Sequence, residues 1–109
     1  MASLTQIPEG LQYVYKEPTL NKNGSPLTDL DHVSIFQDIG AGPVLVLDVP
    51  ASGPTGGQEK TIILPNPIGA DQEANVTVYS IAIDDNGNEA VKGGEVTIPL
   101  DNLAPNPTE

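Results

Sequence analysis

"NVTVYSIAIDDNGNEA", Asn75–Ala90, is the longest β-branched run of the chain, and it ends in carboxylates and amides around one glycine. Val, Thr, Ile and Tyr in close succession suit a pleated backbone. They disfavour a helix, where β-branched side chains lose rotamer freedom against the preceding turn. Asn86-Gly87 tolerates positive φ and predicts a two-residue hairpin reversal, with aspartates capping nearby amides. The same cluster, Asp84, Asn86 and Asn88 with Gly87, also carries the oxygen donors of a calcium loop. That motif places its glycine after the third donor and a bidentate Glu at its end. Here Gly87 precedes Asn88, and Glu89 follows too soon. The turn is the expected reading and a cation site the alternative.

Outward from this run, Pro, Gly and Asn clusters divide the chain into short apolar segments, the pattern of successive strands. "SLTQIP", Ser3–Pro8, reads as a first edge strand or an arm, stopped by Pro8. In "LQYVYK", Leu11, Tyr13 and Tyr15 share one face at period two. "NKNG" and "SP" mark reversals before "HVSIFQD", where Val33 and Ile35 point one way and His32, Ser34 and Phe36 the other. "PVLVLDV", Pro43–Val49, is apolar on both faces near its middle. "PASGPTGGQ" has no apolar anchor and predicts a mobile loop. "KTIILP" is another strand, and "GEVTIPL" closes the domain, with Pro99 implying an edge. No segment keeps the helical apolar period over three turns, so roughly seven strands are expected in one all-β sandwich. The division is 1–7 arm or edge strand, 8–100 domain and 101–109 tail.

Composition bounds the rest. The 109 residues suffice for one domain with a modest core. One Phe, three Tyr and no Trp mean that Val, Ile, Leu and Ala build that core. Eleven Gly and eleven Pro suit many turns rather than a helical bundle. The absence of Cys excludes disulfides and thiolate metal sites. Fifteen acids against four lysines, with no Arg, give a formal charge of −11. Such a surface repels phosphates and anionic lipid, so neither nucleic acid nor membrane is an expected partner. "MASLTQIPEG" has no basic region followed by an apolar one, so a product made in a cytoplasm without a signal peptide is expected.

"YVYKEPTLNKNGSPLTDLDHVSIF", Tyr13–Phe36, resembles the fibronectin type III module. Tyr15 stands at that family's core Trp position, Pro18 matches its Pro, and Asn21, Gly24, Pro26, Leu27 and Leu30 match its loop. Val33 and Ile35 match the inward positions of the following strand. "AIDDNGNEA" is similar to the end of the sixth strand and its hairpin. The resemblance implies an immunoglobulin-like sandwich over about residues 8 to 100. In two places the chain departs from the pattern. Tyr15 is a smaller, partly polar filler whose hydroxyl needs a partner, and the tyrosine-corner position falls at Val76. Tyr79 lies on the opposite parity with Ile81 and Ile83, so either the strand is shifted in register or its outer face is covered.

Catalytic constellations are absent. His32 is the single imidazole and has no second nitrogen or sulfur ligand for zinc, nor a Gly-x-Ser-x-Gly nucleophile. No carboxylate pair sits by an aromatic sugar platform, so a non-enzymatic protein without cofactor is expected. "GPTGGQEK" lacks the Lys-Ser/Thr of a phosphate loop. Asn23-Gly24-Ser25 and Asn75-Val76-Thr77 fit the glycosylation sequon but carry little weight without a secretion signal. Two segments are candidate protein interfaces. One is the N-terminal Ala2, Ser3, Leu4, Thr5 and Gln6. The other is the apolar stripe Val44, Leu45, Val46 and Leu47, which is either buried on both sides or exposed to a partner.

Modules that look like this one recur in tailed-bacteriophage structural proteins. The resemblance, size and charge imply a small virion protein on the outer surface of the capsid. Its expected partner is the major capsid protein or another virion protein, with oligomeric state left open. A phage tail or baseplate accessory, or a carbohydrate or cell-surface binding module, are the alternatives.

Overall fold

The computed structural model describes residues 2–108, and Met1 of the N-terminal segment and Glu109 of the tail lie outside the described residues. Seven strands form: β1 (Ser3–Ile7), β2 (Gly10–Lys16), β3 (Leu30–Asp38), β4 (Val44–Pro50), β5 (Glu59–Leu64), β6 (Glu73–Asp84) and β7 (Gly93–Asp101). All pairings are antiparallel. They make a three-stranded sheet, β1-β2-β5, and a four-stranded sheet, β4-β3-β6-β7, packed as one β-sandwich.

The period-two pattern places the core. Leu4, Leu11, Tyr13, Tyr15 and Leu64 come from the smaller sheet, and Val33, Ile35, Val76, Val78 and Leu100 from the larger. Each fully buried aliphatic side chain contributes about 1.5–3 kcal/mol of transfer free energy. With so few aromatics, one strand supplies the two stacked tyrosines of the core (Tyr13 and Tyr15, ring centroids 5.5 Å apart).

The double apolar parity of β6 has a physical origin. Val76 and Val78 face the core; the β3–β6 pairing runs without a register shift between Val33↔Ala82 and Asp38↔Thr77, whereas the β6–β7 pairing shifts register between Val78 and Ser80, at Tyr79. Tyr79, Ile81 and Ile83 stand half-buried on the outer face. Phe36, opposite Tyr79, stacks on it at 5.2 Å, and the Lys92 ammonium lies 5.2 Å from the Tyr79 centroid.

Ser3–Ile7 is a strand paired along its length with β2. Leu4 enters the core, and Gln6 bonds across the sandwich to the Asp101 backbone and the Asn102 side chain. These bonds tie the β1 edge to β7 at one end of the molecule.

Candidate functional site

The stripe Val44–Leu47 is not buried on both sides. β4 is the terminal strand of its sheet, with β3 on one edge and no strand on the other. Val44, Leu45 and Leu47 are 61%, 50% and 38% exposed. The pairing shifts register between Ile35 and Phe36 and leaves Val46 as the extra residue. Val46 packs against the core, while Leu45 is placed opposite Phe36. The single charged residue of β4, Asp48, accepts the Ser34 hydroxyl at 2.6 Å. The strand therefore has no lysine to guard an apolar, unpaired edge.

The N-terminal candidates divide. Leu4 is buried and unavailable, Ser3 and Thr5 are exposed, and Ala2 and Gln6 are half-buried. The arm reading of this segment gives way to a structural strand, because the alternation that fits β2 also seats Leu4 inside.

The Asp84 cluster is a closed turn. Oδ1 of Asp84 accepts the Asn86 and Asn88 backbone N–H groups, both at 2.9 Å, and Oδ2 accepts the Asn88 side-chain amide at 3.0 Å. Bonding from the Asn88 side chain, then from the N–H groups, holds this carboxyl below the usual aspartate value. Donors occupy the oxygens that a cation would need. Gly87 alone takes positive φ, at 80°, while Asn86 does not. The reversal is thus a type I-like turn followed by a left-handed glycine, closed by Gly87 N–H on the Asp84 carbonyl at 3.0 Å. That corrects the two-residue hairpin expected from Asn-Gly. His32 sits at the surface with Nδ1 2.6 Å from Asp31 Oδ2. Among the described residues, no three of His, Asp and Glu converge on a metal position.

The 51–58 loop has an anchor that the sequence pattern did not reveal. Glu17 is buried, and its carboxylate accepts the N–H and hydroxyl of Ser52 and the N–H of Gln58. Burial by itself would push this carboxyl up. Those donors and Lys60 outweigh it and hold Glu17 below the usual glutamate value. Gly56, at φ +61°, lies against the Pro18 carbonyl, where a Cβ would come within 2.1 Å. The loop, which has no apolar anchor, thus has a polar one.

Beside that loop is a cleft of about 620 Å³ between the β2–β3 connection and the β6–β7 hairpin. Leu27, Leu30, Ala82, Ile83 and Ala90 form much of its wall, with Leu20 and Val91 also lining it. No single segment of the chain announced this site, because residues about 60 positions apart build its two sides.

No protein-family model matches the chain, and no curated protein or solved structure matches it.

Proposed function

We propose that the chain is a non-enzymatic, fibronectin type III-like structural module of a tailed-bacteriophage virion, a capsid decoration or cement protein. It is made in the host cytoplasm and assembled onto the outer surface of the particle. The observation that carries this reading is the β4 edge. A chain of net charge −11 presents a neutral, apolar strand with one unpaired edge at Val44–Leu47. Such an edge favours docking by strand addition or apolar burial against the major capsid protein or another virion protein. The absence of arginine and the acid excess support an outward position, away from packaged nucleic acid. The three-plus-four strand order supports the fibronectin type III likeness.

Co-sedimentation with empty capsids tests the reading. Leu45→Lys adds a charge to an exposed position, so it preserves the fold and weakens capsid binding at least tenfold. Failure of the unaltered chain to bind any virion component overturns the proposal. Cryo-EM density on the tail rather than the head moves the module to the baseplate.

A further inference from the structure

We propose that the cleft between the β2–β3 connection and the β6–β7 hairpin binds a peptide segment carrying an aliphatic side chain next to a lysine or arginine. The inference goes beyond the virion reading and does not depend on which particle carries the module. Its volume, about 620 Å³, lies in the range of ligand sites and exceeds what one side chain fills. Its walls are mainly apolar, and its two lips are apolar too. Leu20 and Val91 are 57% and 82% exposed at positions where core packing demands no hydrophobic residue. Two aliphatic lips on separate loops, facing one cleft, fit an aliphatic anchor between them.

Charge selects the neighbour of that anchor. Asp84 and Glu89 line the cleft, and Asp84 is held ionised by its turn. Behind the lining residues Asp84 and Leu30, the two walls are joined by the Asp85 N–H on the Asp29 carbonyl at 2.9 Å. Lys22 is the one cation among the residues lining it. The Asp84 and Glu89 carboxylates, against the single lining ammonium, favour a cationic residue beside the anchor and oppose an acidic peptide. They also oppose a second copy of this chain, which would bring like charges together.

Titration of the ¹⁵N-labelled chain with capped synthetic peptides tests the site. The probes are Gly-Lys-Leu-Leu-Lys-Gly, its Glu-for-Lys counterpart and its Ser-for-Leu counterpart. The first should move amide signals of residues 20–30 and 82–91 saturably, with the other two at least tenfold weaker. The double variant Leu20→Asp, Val91→Asp alters exposed side chains only. It should keep a dispersed spectrum and lose the first peptide at least tenfold. Equal binding of both lysine peptides reduces the effect to bulk charge, and equal binding of both leucine peptides removes the charge selection. Either result overturns the proposal. So does the absence of saturable shifts at millimolar peptide, or movement of the same signals on concentrating the chain alone.

Discussion

Two stacked tyrosines one pleat apart show how much a single hydroxyl decides. Tyr13 donates to the Gly94 carbonyl at 2.7 Å, so its buried polar atom is satisfied. The Tyr15 hydroxyl is also buried and has no hydrogen-bond partner among the described residues. Tyr13→Phe should therefore cost about 1 kcal/mol, the net worth of a hydrogen bond. Tyr15→Phe should cost nothing or stabilise the fold, since it removes an unpaired group. Urea unfolding of the two variants checks the contrast, and an equal loss in both would contradict it. Burial, then the charge of Glu17 and the presence of Tyr13, push the Tyr15 phenol up to about 12. The unfolded chain releases that proton near 10, so stability should fall as pH rises from about 10 towards 12, a loss that Tyr15→Phe lacks. Glu17 shifts in the opposite sense. Its folded value lies below its unfolded one, so its contribution is present above the unfolded value and is lost as pH falls through the folded value. Glu17→Gln should cost about 2–3 kcal/mol at neutral pH, because an amide cannot accept from Ser52 and Gln58 together without exposing its own donors to them. The gap between the two proteins should narrow as both are taken below about pH 4, and a gap independent of pH would remove the charge from the explanation.

At the scale of elements, the β6–β7 reversal depends on one carboxylate more than on its glycine. Asp84→Ala leaves the Asn86 and Asn88 N–H groups without their acceptor. Faster hydrogen exchange is expected at those two amides, with the β3–β6 ladder unchanged. Millimolar calcium should leave the thermal midpoint of the unaltered chain where it is, because the Asp84 oxygens are already engaged. A midpoint that rises with calcium would restore the cation reading. The strands themselves were legible in the residues. Leu11, Tyr13 and Tyr15 alternate inward, Val33 and Ile35 do the same, and Pro99 marked β7 as an edge. What periodicity could not supply was partnership. It showed that Val44–Leu47 is apolar on both parities, but the fate of that surface depends on which strand stands beyond β4. It could not single out Glu17 among the acids, because the donors that hold its carboxylate are 35 and 41 residues away. Asn-Gly announced a reversal, yet its type followed from the Asp84 cap, which keeps Asn86 out of positive φ.

The whole molecule is a rod, 61 × 25 × 18 Å, so its two ends are separate surfaces. One end gathers the β2–β3, β4–β5 and β6–β7 connections, with the Glu17 tie and the apolar cleft between them. All four lysines lie at this end: Lys16 and Lys60 at the start of the β2–β5 ladder, Lys22 in the first loop and Lys92 in the last, among the carboxylates of Glu17, Asp29, Asp31, Glu59, Asp84, Asp85 and Glu89. The opposite end gathers the β1–β2 turn and the β3–β4 and β5–β6 connections, and the tail leaves β7 there. Glu9, Asp38, Asp71, Glu73 and Asp101 lie at that end with no lysine among them. A surface of one sign repels its like and stays hydrated, whereas an apolar cleft with mixed charge is suited to contact. If the chain decorates a particle, the cleft end and the adjacent β4 edge should face the partner, with the lysine-free end towards solvent. The prediction is an asymmetry between two insertions of the same small folded domain. Fused after residue 108, at the lysine-free end, it should leave binding to the particle within about twofold, a change below 0.5 kcal/mol. Inserted between Lys22 and Asn23, in an exposed turn beside the cleft, it should abolish binding, while hydrogen exchange shows the core strands still protected. Co-sedimentation of both fusions with the same particles decides the matter. Loss on the tail fusion with retention on the loop insertion would reverse the rod.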